Sequence, residues 1–218
     1  MPHPTFLKLP ASKRERIELA ARAEFALNEF ADARLDRIAK AASVPKGSLY
    51  QYFEDKAEFY RYTVQRALDE IWESFDRHVA EQPPVDCFQL LREALTRLAW
   101  RAKHEPHLSV LHRRVVYAHD FHCGETILAA SANRDQAFYD RLINWGVETR
   151  QVDPSTSRTL LRFHIHATAA LLQHDLLSGD RPPWMESDTS DPDLFIDQLI
   201  DGIKRVAAPC KNSPENDK

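Results

Sequence analysis

The chain has 218 residues and a mass of 25.1 kDa, enough for a sizeable core in one large domain or in a small one joined to a larger. Its net charge of −4 excludes a polycation, and no run of about 18 uncharged apolar residues marks a membrane span or a secretory leader. Five glycines among abundant Ala, Leu, Arg and Glu favour an all-α protein, expected in the cytoplasm with no membrane partner. The charge is unevenly placed. Residues 1–53 hold nine Lys/Arg against six Asp/Glu, and the remainder holds twenty against twenty-seven, so a head of +3 precedes a body of −7. That is the distribution of a small nucleic-acid-binding module on a larger acidic domain. Cys87, Cys123 and Cys210 are odd in number and in no metal-ligand spacing, and read as free thiols.

The first ten residues are broken by three prolines and are expected to form a flexible arm. Ser12-Lys13-Arg14-Glu15 fits a capping box, in which serine and glutamate side chains satisfy free N–H groups at a helix start. Ile17, Ala20, Ala21, Phe25 and Leu27 then mark a helix to about residue 29. Two short helices follow, about 33–42 and 45–52. Leu35, Ile38, Ala39 and Ala42 recur at helical spacing in the first. Ser43 serves as turn residue and cap, and Pro45 is tolerated in the first turn of the second. Leu49 and Phe53 face inward at i, i+4, leaving Lys46, Ser48, Tyr50, Gln51 and Tyr52 on or near the outer face. This is the pattern of a helix-turn-helix reader, whose second helix enters the DNA major groove.

Asp55-Lys56-Ala57-Glu58 caps a long helix to about Ala80, ended by Pro83-Pro84. Some 25 residues of helix span roughly 37 Å. Five further helices are predicted at about 85–103, 107–118, 124–150, 154–178 and 192–207. Residues 209–218 are polar and expected to be disordered. The expected architecture is all-α with about nine helices. It comprises a three-helix DNA-binding domain (1–54), a helical effector-binding and dimerisation domain (55–208) and a tail (209–218).

Ile38-Ala39, the run Ala42-Ser43-Val44-Pro45-Lys46-Gly47-Ser48-Leu49-Tyr50, Tyr52-Phe53 and Lys56 resemble the TetR family of transcriptional regulators. Ile17, Ala20-Ala21, Phe25 and Phe30 are similar to its first helix, so the resemblance covers roughly residues 12–60. Three positions depart from it: Glu29, Ala33 and Ser43, the last standing where glycine usually makes the turn. By position, the resemblance implies that Lys46, Gly47, Ser48, Tyr50, Gln51 and Tyr52 face the groove and that Lys56 meets a phosphate. Lys46 suits guanine O6/N7 or phosphate, and Gln51 suits adenine N6/N7. Tyr50 and Tyr52 suit backbone contacts that fix register. Arg34 and Arg37 are candidates for phosphate or the groove edge.

The resemblance also implies a ligand cavity in the body. Trp72, Phe75, Trp100, Tyr117, Phe121, Phe138 and Trp145 are its candidate apolar lining, with His164 as a polar group, which makes an apolar or aromatic small molecule the expected effector. His119, His122 and Cys123 lie close in sequence but in no ligand spacing, so no metal and no cofactor are expected. No nucleophile elbow, phosphate loop, dinucleotide fingerprint or zinc-protease motif is present, and no catalytic residues are assigned. Ala167 and Leu171 lie on one apolar stripe, and Phe195, Leu199 and Ile203 on another, in the last two helices. Helices apolar on more than one side need two partners, the second supplied by a symmetry mate. The expected protein is therefore a homodimeric, sequence-specific repressor that a small effector releases from a double-stranded operator. The alternative is an architectural or weakly specific DNA-binding protein without an effector.

Overall fold

A computed structural model describes residues 2–178 and 192–208. The predicted tail at 209–218 and Cys210 lie outside the described residues. Among the described residues the regular structure is entirely helical: α1 (Pro4–Leu7), α2 (Ala11–Leu27), α3 (Leu35–Ala41), α4 (Lys46–Tyr52), α5 (Lys56–Glu81), α6 (Cys87–His104), α7 (Pro106–Val116), a single 3-10 turn (Phe121–Cys123), α8 (Glu125–Glu148), α9 (Arg158–Ser178) and α10 (Pro192–Ala207). No helix described is long and apolar enough to cross a membrane. The residues form two compact units, one of Met1–Arg77 with Arg101–Arg134, the other of His78–Trp100 with Asp135–Lys218.

The first unit contains the reader, and its apolar core does not stop at residue 54. Ile17, Phe25, Ile38, Leu49 and Phe53 pack in one cluster with Phe59, Val64 and Leu68 of α5 and Leu108, Leu111 and Val115 of α7. Residues 2–9 are not a loose arm. Pro4 starts a helical turn because proline needs no N–H partner there, and Phe6 is completely buried. Its ring lies 4.9 Å from that of Phe53, 5.6 Å from Tyr52 and 5.5 Å from Tyr62. The Ser12 capping box does not form either. Pro10 occupies the N-cap of α2 and no side chain caps the helix. By contrast, Asp55 Oδ1 accepts from the Glu58 N–H at 2.6 Å and Glu58 Oε2 from the Glu54 N–H at 2.7 Å, so the predicted cap of α5 is made.

In the second unit Leu90, Leu91 and Leu95 of α6, Leu142 and Ile143 of α8, Leu161 and Ile165 of α9 and Ile196, Ile200 and Ile203 of α10 are all buried. Arg92 reaches from α6 to Asp197 of α10 at 2.7 Å, and His78 pairs with Glu93 at 2.8 Å. Gly146 is required by close approach: a Cβ there would lie 2.5 Å from Val152 and 2.9 Å from the Cys87 sulfur.

Candidate nucleic-acid interface

The turn between α3 and α4 closes through backbone bonds, Val44 N–H to Ala39 O at 3.0 Å and Ser43 N–H to Lys40 O at 3.2 Å. Ser43 takes φ +54°, the left-handed conformation in which a side chain costs energy and glycine does not. Pro45 occupies the N-cap of α4 without a side-chain cap. The apolar positions Ile38, Ala39, Ala42, Val44 and Leu49 are all buried. Lys46, Gly47, Tyr50 and Gln51 are exposed and Ser48 is half-buried. These residues form one short outer face on a packed support.

Lys46 Nζ lies 2.7 Å from Asp36 Oδ1, with both side chains half in solvent. The hydrogen bond from Lys46 holds the Asp36 carboxyl below the usual carboxylate range and raises the lysine in turn. Water and salt screen such a pair, and it leaves Lys46 able to turn toward a phosphate or base. Arg34 is exposed and 3.7 Å from Asp36. Arg37 is held back, its Nη1 3.4 Å from Glu24 and 3.3 Å from Asn28 Oδ1.

Two residues expected at the DNA, Tyr52 on this face and Lys56 at a phosphate from the start of α5, are engaged within the fold. Tyr52 is only 6% exposed and packs on Phe6, because it falls one turn from Leu49 on the inner side of α4. Lys56 uses its ammonium inside the domain, donating to Phe30 O (2.7 Å), Ala31 O (3.1 Å) and Ala33 O (3.1 Å) and lying 4.6 Å over the Phe30 ring. It fastens the loop between α2 and α3, and with three donors engaged it is not poised for phosphate.

Sequence reasoning missed what positions the reader. Gln51 O accepts from Thr5 Oγ1 at 3.0 Å and lies 3.0 Å from His3 Nδ1, and Tyr52 O accepts from His3 N–H at 2.9 Å. The N-terminal segment thus ties off the last carbonyls of α4. Arg114 of α7 donates to Phe25 O, Ala26 O and Asn28 O and to the Glu29 carboxylate, closing the C-terminal end of α2. Tyr60 donates to Asp120, whose other oxygen accepts from His122 N–H at 2.9 Å. The His122 ring stacks on Phe30 at 4.6 Å. Apart from the Asp120–His122 bond, these contacts have no local sequence signal, since each joins residues far apart in the chain.

The candidate ligand residues are dispersed. In the first unit Phe75 is buried beside half-buried Trp72, ring centroids 6.1 Å apart. Tyr117 meets His112 edge-on at 5.8 Å, and Phe121 is 81% exposed. In the second, Phe138 is buried and Trp145 half-buried. His164 Nδ1 is 2.8 Å from Leu160 O within its own helix, and Trp100 is 51% exposed. Phe121 and Trp100 face solvent rather than an interior. Of the dimer candidates, Leu171 is exposed and Ala167, Phe195 and Leu199 are half-buried, whereas Ile203 is turned into the core of its own unit.

Residues 18–63 match the family model for bacterial regulatory proteins, tetR family. The reader segment is thus similar to the TetR family over these residues. No curated protein matches the chain. A TetR family transcriptional regulator from Chloroflexus aurantiacus J-10-FL superposes with a TM-score of 0.71 at 24% identity, over 94% of this chain and 97% of that one. The regulator FadR from Bacillus subtilis in complex with stearoyl-CoA gives 0.66 at 15%, over 87% and 96%. The ketosteroid regulator KstR2 of Mycobacterium tuberculosis gives 0.63 at 18%, over 91% and 95%. The TetR fold therefore extends through the body, well past the segment that the family model covers.

Proposed function

We propose that this TetR-family chain is a dimeric, sequence-specific DNA-binding transcriptional regulator, a repressor released by a small, mainly apolar effector. The observation that carries the reading is the exposed row Lys46, Gly47, Tyr50 and Gln51 on α4, braced from behind by a buried core. Such a face supplies a cation, an amide able to pair with adenine and a phenol for backbone contact. Arg34 joins it at the edge, and Ser48 at its partly covered side. The effector would bind within the body; the similar regulator FadR is known in complex with a small molecule, stearoyl-CoA. Its leverage would equal its differential affinity for DNA-competent and DNA-incompetent arrangements.

Dimerisation is supported by the surface of the last helices. Leu160, Phe163 and Leu171 of α9 and Leu194 of α10 are each about half exposed or more, and with Ala167 they recur at three- and four-residue spacing along α9. A contiguous apolar stripe of this kind marks an association face, and two readers about 34–36 Å apart would address a two-fold operator. Leu171→Asp is expected to convert the protein to monomer by light scattering and to abolish cooperative operator binding, with helix content unchanged. A variant that stays dimeric rules out this face. The DNA reading itself is tested by selecting bound fragments from the source genome and footprinting them at fixed salt. Protection of a two-fold site supports it, and equal affinity for any duplex refutes it.

A further inference from the structure

The far end of the reader helix is fastened by a segment outside the helix-turn-helix. Helix α4 has only seven residues, Lys46–Tyr52, too few to hold its own shape in water. It ends at Phe53 in extended backbone, φ −136° and ψ 140°, with no glycine cap. Its last carbonyls therefore need partners from elsewhere. Leu49 O takes the Phe53 N–H at 2.9 Å. Gln51 O accepts from Thr5 Oγ1 at 3.0 Å and lies 3.0 Å from His3 Nδ1, and Tyr52 O accepts from His3 N–H at 2.9 Å. The segment that brings these groups is itself anchored. Pro2 and Phe6 are buried, and the Phe6 ring packs on Tyr52 and Phe53 at that same end of α4. His3, Thr5 and Gln51 are exposed. Bonds made in contact with water add little to global stability, yet these fix where the Gln51 backbone stands.

We propose that His3 and Thr5 are positioning residues for sequence reading, which set the base preference at the one operator position met by Gln51. The inference rests on the DNA-binding reading above and extends the reader to a segment before its first helix. A glutamine recognises adenine through both amide atoms, so its backbone has to be held to within about 0.5 Å. A lysine is a point charge on a flexible stem and tolerates displacement. Lys46 lies five residues away at the opposite end of α4, about 7.5 Å along the axis, which is about two base pairs. It leans on Asp36 of α3 rather than on the N-terminal segment. Loosening His3 and Thr5 therefore blurs one base position and spares the other.

The test is selection of bound duplexes from a randomised pool by the full chain at fixed salt, read by sequencing. Gln51→Ala and Lys46→Ala first mark the two positions, each losing about tenfold or more of its base preference. Thr5→Val with His3→Ala is expected to lower preference at the Gln51 position about threefold or more and to leave the Lys46 position within about twofold. Its urea midpoint should stay within about 0.5 M of the parent. Thr5→Ser, which keeps the hydroxyl, should keep the preference. In a Gln51→Ala background the same pair of changes should have no further effect, because they act through Gln51. An unchanged preference at the Gln51 position overturns the proposal, as does no loss in Gln51→Ala. An equal loss at both positions with a lowered urea midpoint overturns it too, since that marks a general structural role. In each of these cases a selected site survives in the parent, so the DNA-binding reading stands. A parent chain that selects no sequence at all overturns both.

Discussion

The two units treat their aromatic and charged residues in opposite ways. In the first, Phe6, Phe25, Phe30, Tyr52, Phe53, Phe59, Tyr60 and Tyr62 lie ring against ring. Its embedded charges are also answered: Glu24 by the Arg34 N–H, Glu58 by the Glu54 N–H, Lys56 and Arg114 by runs of carbonyls. The second leaves Phe163, Leu171 and Leu194 in solvent and Asp135 unanswered. Unsatisfied groups are tolerated where something outside the fold completes them. The first unit answers its embedded charges within its own chain, although Phe121 and Leu27 stay in solvent, whereas the second leaves a row of apolar side chains exposed on its last helices.

The sharpest way to break that contrast is to remove a ring from the first unit. Phe6→Ala should cost about 3–5 kcal/mol in denaturant unfolding through the lost transfer energy and the cavity left behind. The exposed Phe121→Ala should stay within about 0.5 kcal/mol. If the two losses are equal, the N-terminal turn is not part of the core. Lys56→Met should cost about 1–3 kcal/mol of stability by orphaning three carbonyls, with the salt dependence of DNA binding unaltered. Lys46→Ala should leave stability alone and weaken a specific site about tenfold or more. The pair thus separates a lysine that builds the reader from one that reads.

Asp135→Asn sharpens the comparison from the other side. The carboxyl ordinarily ionises near 3.8 and is raised to about 7 in the fold, so the unfolded chain loses its proton first. Stability is therefore full below about pH 4 and falls as pH climbs toward 7. The asparagine variant should be more stable by about 1–3 kcal/mol at pH 8, with the gain vanishing near pH 4. A pH-independent difference contradicts the burial of this acid. The smallest effect is expected at the turn: Ser43→Gly, freed of the left-handed strain, should gain about 0.5–1 kcal/mol by thermal unfolding.

The periodic stretches and the turn were legible because they depend on neighbours in sequence. Leu35, Ile38, Ala39, Val44 and Leu49 mark their own inner face, and the φ of Ser43 followed from a glycine-type turn. Phe6 was hidden among prolines that signal breaks in regular structure yet here begin a helical turn. Tyr52 and Lys56 were misplaced because a family position states which residue type occurs, whereas burial against Phe6 and three converging carbonyls depend on packing. Asp135 was not legible at all. Nothing local distinguishes an acid on a solvated face from one that packing removes from water.

The Arg114 guanidinium has a mechanical consequence. Its bonds to three carbonyls and a carboxylate at the end of α2 act as a rivet, so α7 cannot slip along α2 by even a fraction of a turn without shearing several of them together. Any push that reaches α7 is passed to the amino-terminal helices as rigid displacement, and little of it can be absorbed by side-chain rearrangement on the way.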